Sequence, residues 1–153
     1  MPPFAAHAVR LAGGFSVAAG ADAAFPLFSP LGERSWVPGW DPELIHPPGL
    51  DWAEGLIFRT REELGDAIWV VTRLDRAARH VEYHRVEPGR YVAHITVRCT
   101  PASDDTTDVS VVYEFVGLSE RGNADIDAMT DTAYAEKMSR WSQMIAAALQ
   151  HHP

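Results

Sequence analysis

Five strand-like segments follow one another in the middle of the chain, and this succession limits the fold more than any other feature. Each segment is rich in β-branched and aromatic residues, and short polar turns separate it from the next. The helical patterns that a parallel α/β sheet needs between its strands are missing. The sequence therefore predicts an antiparallel meander. Its strands are expected at residues 56–61, 67–74, 79–86, 91–100 and 108–118.

One long amphipathic helix is predicted after the meander, from about residue 123 to about residue 149. Asn123 is suited to cap its first turn, where Asp125 and Asp127 interact favourably with the helix dipole. The interior of the helix contains neither glycine nor proline, and apolar residues recur every three or four positions. This apolar stripe comprises Ile126, Met129, Ala133, Met138, Trp141, Ile145 and Leu149.

The first part of the chain has weaker patterns. Residues 4–11 alternate enough to predict a strand, and Gly13-Gly14 predicts a turn after it. A short helix is then expected to end at about Phe28, with Ser16 or Asp22 near its start.

Residues 25–52 differ from the rest of the chain in composition. Six of the eleven prolines fall here, which excludes a long helix or a central strand. Trp36, Trp40 and Trp52 also belong to this segment, and so many large aromatic side chains are not typical of a linker. We therefore predict an ordered, packed loop.

Charge and cysteine content narrow the range of functions. The net charge of the 153 residues is −8, and residues 100–136 hold nine acids and one base. A chain without a basic cluster is poorly suited to nucleic acid, and no apolar run is long enough to span a bilayer. Cys99, the only cysteine, lies in a strand pattern, so we expect a buried thiol and a reducing, cytoplasmic location.

Six phrases of the sequence carry a resemblance to a known family, namely residues 25–30 (FPLFSP), 33–36 (ERSW), 39–42 (GWDP), 68–73 (IWVVTR), 112–115 (VYEF) and 118–123 (LSERGN). They resemble small bacterial members of the SRPBCC superfamily, which unites START and Bet v 1-like proteins. The resemblance covers nearly the whole chain. It implies an α+β helix-grip fold, in which one domain (1–153) wraps a curved antiparallel sheet around the long C-terminal helix. It also implies a deep cavity between sheet and helix, with segment 25–52 near its mouth.

Strand alternation predicts which side chains face the cavity. The apolar set that includes Ile95 and Cys99 should face the helix, together with Tyr83 and Tyr113. Two registers are open for residues 67–74. One places Trp69 and Val71 beside Tyr83, the other places Val70 and Thr72 there, and we favour the first because an exposed indole is costly.

The opposite face of the sheet carries a group of titratable residues. Glu82, His84, His94 and Glu114 should share this solvated face. With the opposite parity they would lie inside and form an acid–base or metal cluster. No histidine or cysteine spacing matches a metal motif, so no metal and no cofactor are expected.

The resemblance implies that the chain binds a hydrophobic small molecule, lipid-like or aromatic and polyketide-like. Binding is favoured over catalysis. The sequence also leaves a homodimer open. The predicted ligand-binding residues are Trp36, Trp40, Phe58, Trp69, Tyr83, Tyr113, Met138 and Trp141.

Two alternatives remain open. The first is a cyclase or dehydratase-like enzyme, whose candidate catalytic residues are Glu33, Arg73, Tyr83 and Tyr113. Arg73 is expected at the cavity end, where it could meet a ligand carboxylate or Glu33, but a plain salt bridge is the favoured role. The second alternative is a protein-interaction role for the acidic region 100–136.

Overall fold

Seven antiparallel strands form one curved sheet in the computed structural model, which describes residues 3–151. The strands are β1 (Ala8–Val17), β2 (Glu43–His46), β3 (Ile57–Glu62), β4 (Gly65–Asp75), β5 (His80–Glu87), β6 (Tyr91–Pro101) and β7 (Thr107–Gly117). Their order in the sheet is β1-β7-β6-β5-β4-β3-β2, so the chain runs as a meander from β2 to β7 and β1 pairs with β7. The predicted antiparallel meander is confirmed.

The helices lie in two parts of the chain. Those in the C-terminal part contact strands β1 and β7 of the sheet. A long helix beside a curved antiparallel sheet is the helix-grip arrangement predicted from the sequence. The helices are α1 (Ala21–Ala24), two 3₁₀ helices (Phe25–Phe28 and Gly32–Ser35), α2 (Glu120–Asp127) and α3 (Asp131–His151).

The turn predicted at Gly13-Gly14 is wrong, because both glycines lie within β1 and pair with β7. Close approach of other groups explains why glycine is needed. A Cβ atom on Gly13 would lie 3.1 Å from Met138 Cγ and 3.1 Å from Tyr134 Cε2 of α3. On Gly14 it would lie 2.4 Å from the carbonyl oxygen of Val109. These glycines let β1 contact both α3 and β7.

The C-terminal helix predicted as continuous from residue 123 is two helices, and Asn123 is not a cap. The Ser119 hydroxyl caps α2 by accepting a hydrogen bond from Gly122 N at 2.9 Å. Thr130 Oγ1 accepts from Ala133 N in the first turn of α3. Asn123 is buried and holds the N-terminal segment, since its Oδ1 accepts from His7 N and its Nδ2 donates to Ala5 O.

The predicted parity of β6 and β7 is confirmed. Ala93, Ile95, Val97 and Cys99 are buried, and burial raises the pKa of the Cys99 thiol to about 12. Val71 pairs with Tyr83, which confirms the preferred register of β4.

The outer face of the sheet carries the titratable group. Glu82 contacts His80 Nε2 and His94 Nε2, each at 2.7 Å, and the rings of His84 and His94 stack at 4.6 Å. Among residues 3–151, no group of three or more potential metal ligands could hold an ion. In the same part of the chain, no helix is both long and apolar enough to cross a bilayer.

Segment 25–52 is ordered and packed, as predicted. Two of its tryptophans donate hydrogen bonds to carbonyl groups of the same segment: Trp36 Nε1 donates to Leu27 O and Trp40 Nε1 to Pro30 O, each at 2.7 Å. The short edge strand β2 was not expected, since proline flanks it on both sides.

Candidate functional site

An open cavity of about 760 Å³ lies between the concave face of the sheet and α3. Its lining residues come from residues 33–43, from strands β3, β4, β5 and β7, and from α3. The volume falls in the range of roughly 300–1,000 Å³ that is usual for small-molecule sites.

Four aromatic side chains, Trp40, Trp69, Tyr113 and Trp141, line this cavity, and we call them the aromatic wall. Trp40 and Trp69 meet edge to face, with ring centroids 5.6 Å apart. The rings of Tyr113 and Trp141 also meet edge to face, at 6.4 Å. The aromatic wall therefore presents several ring surfaces of different orientation to a ligand.

Hydrogen bonds and stacking hold Trp69 in place. Its Nε1 donates to Thr60 Oγ1 at 3.0 Å, and its ring stacks on buried Phe58 at 5.4 Å. The Thr60 hydroxyl in turn donates to Glu62 Oε1 at 2.7 Å. Because the indole N–H is satisfied, Trp69 offers the cavity an apolar ring.

Glu33, Arg85 and Lys137 also line the cavity, and we call them the charged group. Burial raises the pKa of Glu33 to about 8, although Lys137 and Arg85 oppose this shift. Burial also lowers the pKa of Lys137 to about 8, with help from Arg85 and Arg140. Both groups therefore titrate near neutral pH, which is frequent in functional sites.

Lys137 and Arg85 are positioned against aromatic rings. Lys137 Nζ lies 4.3 Å from the centroid of Tyr113 and 5.3 Å from that of Trp141. The Arg85 guanidinium lies over Trp69 at 5.2 Å, and its Nη2 contacts Glu62 and Glu87 at 3.3 Å each. Arg85 Nε is buried and has no hydrogen-bond partner among residues 3–151. Cation–π contacts thus connect the charged group to the aromatic wall.

Comparison with known proteins identifies the fold. No protein-family model and no curated protein matches the sequence. Norcoclaurine synthase from Thalictrum flavum superposes with a TM-score of 0.70 at 16% identity, over 97% of this chain and 90% of that one. The chain has the Bet v 1-like helix-grip fold.

Other helix-grip structures superpose as well. A Streptomyces aromatase/cyclase gives a TM-score of 0.65 at 14% identity, over 96% of this chain and 97% of that one. A major latex-like protein from Panax ginseng gives 0.68 at 14% identity, over 95% and 99%. At these identities the similarity shows the fold, and function has to be argued from the site.

Half of the predicted ligand-binding residues line this helix-grip cavity. Trp40, Trp69, Tyr113 and Trp141 do so. The other four lie behind the lining. These are Trp36, whose ring contacts Phe28 and Trp141; Phe58, beneath Trp69; Tyr83; and Met138, which is buried against Gly13.

Two of the four predicted catalytic residues line the cavity, namely Glu33 and Tyr113. Tyr83 is buried outside the lining, where its hydroxyl donates to Phe28 O at 2.7 Å and accepts from Trp52 Nε1 at 3.0 Å. The expectation that Arg73 reaches the cavity end is wrong. A bulge after Val71 turns Arg73 to the outer face, where it forms a salt bridge, the favoured role, with Nη1 3.5 Å from Glu82 Oε2.

Sequence reasoning missed Arg85, Lys137 and Glu62. Arg85 has the same strand parity as Tyr83, so alternation alone places it on the concave face. Lys137 lies four residues before Trp141 on the apolar stripe of the helix, and a lysine at such a position is a signal. Glu62 follows Phe58 and Thr60 at alternate positions of β3.

The arrangement combines apolar ring surfaces with a proton donor and a weakly basic amine. A ligand with an aromatic body could lie against the aromatic wall, and its polar atoms could reach the charged group. At neutral pH, Glu33 can donate a proton while a fraction of Lys137 can accept one.

Proposed function

We propose that the cavity binds a small molecule that has a flat aromatic body and oxygen substituents. The observation that carries this proposal is the pairing of the aromatic wall with the charged group in one cavity of about 760 Å³. The sequence predicts a hydrophobic ligand, and the charged group narrows this class to amphipathic ligands. A purely aliphatic lipid would leave Glu33 and Lys137 desolvated without a polar partner, which is unfavourable.

Structural neighbours support this class of ligand. The norcoclaurine synthase that superposes on this chain is in complex with dopamine and hydroxybenzaldehyde, which are small aromatic molecules with oxygen substituents. A second neighbour is an aromatase/cyclase. Both neighbours support a cavity that binds aromatic rings.

Isothermal titration calorimetry with 2-naphthol tests the proposal. Decahydro-2-naphthol has the same ring skeleton and hydroxyl but no aromatic faces, so it should bind at least about tenfold more weakly. The variant W141L should weaken 2-naphthol binding by about tenfold, because it removes part of the aromatic wall.

The matched control is W52F, since Trp52 is buried but does not line the cavity. This variant should bind 2-naphthol within about twofold of the wild-type affinity. Equal affinity for both naphthols, or equal losses in W141L and W52F, would contradict the proposal.

A cyclase-like activity is the second candidate function. The observation that favours it is the pair Glu33 and Lys137, which both titrate near pH 8 in one cavity. Such a pair is suited to moving protons next to a ligand carbonyl. Nuclear magnetic resonance should show faster α-proton exchange of 2-tetralone with the wild-type protein than with E33Q. Identical exchange rates would remove support for catalysis.

A further inference from the structure

We propose that the Nζ amine of Lys137 is a covalent site, which condenses with the carbonyl carbon of an aromatic aldehyde or ketone held in the cavity. The inference rests on the proposed function, because the aromatic wall must first bind the ring. It goes further by naming the reacting group of the ligand and the atom of the protein that it meets.

The position of Lys137 carries the argument. Its Nζ lies 4.3 Å from the ring centroid of Tyr113 and 5.3 Å from that of Trp141, and both rings line the cavity. Among residues 3–151, no carboxylate oxygen lies within 4.0 Å of this amine. A carbonyl group attached to a ring on the aromatic wall would therefore meet Nζ without competing with an ion pair.

The surroundings of Lys137 also keep a fraction of its amine unprotonated. Burial, Arg85 and Arg140 lower the pKa of Lys137 to about 8, whereas Glu33 acts in the opposite direction. At pH 7 this leaves ~10% of the lysine as nucleophilic amine, against ~0.03% for an unperturbed side chain. Tyr113, which faces Lys137 from β7, stays neutral, because burial raises its pKa far above neutrality.

Glu33 completes the reaction. The amine nitrogen attacks the carbonyl carbon, a C–N bond forms, and a proton moves from nitrogen to oxygen to give a carbinolamine. The carboxylic acid of Glu33 then donates its proton to the hydroxyl, the C–O bond breaks and water leaves. The nitrogen lone pair forms the C=N bond, and the iminium cation is left near the Glu33 carboxylate. No oxidant or reductant is needed.

The composition of the chain makes this inference easy to test, because Lys137 is its only lysine. The protein is incubated with 2-naphthaldehyde and sodium cyanoborohydride, which reduces an iminium to a stable amine. Mass spectrometry should show one naphthylmethyl group per chain. Peptide mapping should place it on Lys137 and show that trypsin no longer cleaves there, which distinguishes it from the N-terminal amine.

Two variants control the test. E33Q should slow the labelling of Lys137 by about tenfold at pH 7, because the proton donor is lost. K137R/Q143K moves the only lysine to an exposed position of the same helix, and residue 143 should be labelled at least about tenfold more slowly. Circular dichroism confirms that both variants are folded.

The results separate this inference from the proposed function. Binding of 2-naphthol without labelling of Lys137 by 2-naphthaldehyde would overturn the covalent site alone. Labelling restricted to the N-terminal amine, or equally fast labelling of residue 143 in K137R/Q143K, would also overturn it. Absence of 2-naphthol binding would contradict the proposed function itself.

Discussion

Two inward-facing tyrosines show how the surroundings of a residue divide structural from ligand-binding roles. Tyr83 and Tyr113 both face the concave side of the sheet, as alternation predicts. The Tyr83 hydroxyl bonds to two groups of the protein, whereas Tyr113 lines the cavity. The sequence shows the common face, but the hydroxyl partners depend on residues far apart in the chain.

The first prediction compares Y83F with Y113F. Y83F leaves the buried carbonyl of Phe28 and the indole N–H of Trp52 unsatisfied, so unfolding in urea should cost about 1–3 kcal/mol less free energy. Y113F should change stability by less than about 1 kcal/mol and, because it keeps the ring of the aromatic wall, should bind 2-naphthol within about twofold of the wild-type affinity. The reverse pattern would contradict the assignment of the two residues.

The second prediction concerns Glu33 and pH. Its pKa is about 8 in the folded protein and 4.5 when unperturbed, so the folded state holds its proton more tightly. This contribution to stability is fully present below pH 4.5 and is lost as pH rises through about 8. Relative to E33Q, the free energy of unfolding of the wild-type protein should therefore fall by roughly 1–3 kcal/mol between pH 5 and pH 8.

Urea unfolding of both proteins at several pH values checks this. Lys137, whose pKa is lowered to about 8, affects the pH dependence of stability mainly between pH 8 and 10.5, where stability falls as pH falls. Because both proteins contain Lys137, its effect is common to the two curves. Parallel stability curves for the wild-type protein and E33Q would contradict the raised pKa of Glu33.

At the scale of elements, the five strands of the meander were easier to predict than the helices or strand β1. Alternation gave the five strands of the meander and the inward set of β6, because one face is buried along its length. The break between α2 and α3 at residues 128–130 was missed, because the apolar stripe continues through it. Strand β1 was cut short at Gly13, since a glycine pair is also typical of turns.

The third prediction tests the contact between β1 and α3. In G13A, the added methyl group meets Met138 and Tyr134 at 3.1 Å. The free energy of unfolding, measured by thermal unfolding, should therefore fall by about 1–3 kcal/mol. The double variant G13A/M138A should lose less than the sum of the single variants, because one clash is relieved. Additive losses would show that β1 and α3 do not pack at Gly13 as described.

At the scale of the whole molecule, the site was only half predictable. The sequence and its resemblance indicated a cavity between sheet and helix, and four of the predicted ligand-binding residues line it, namely Trp40, Trp69, Tyr113 and Trp141. Whether an inward side chain borders the cavity or packs behind it depends on sheet curvature and on how residues 33–43 fold over the opening. Trp36 and Met138 show this, since both face inward and neither lines the cavity.

The charge distribution has two separate parts. The acidic residues of region 100–136 include exposed Asp104 and Asp105 in the connection between β6 and β7. The charged group lies in the cavity and contains both signs. The proposed protein-interaction role of the acidic region stays a prediction, independent of the cavity.

The central claim is that an aromatic ligand lies in the cavity with its polar atoms at the charged group. A crystal structure of the protein soaked with 2-naphthol tests it most directly. Density for the naphthalene rings is expected against Trp69 and Trp141, with the hydroxyl directed to Lys137 or Glu33. A cavity that stays free of ligand at saturating 2-naphthol, or rings bound only at the protein surface, would contradict the claim.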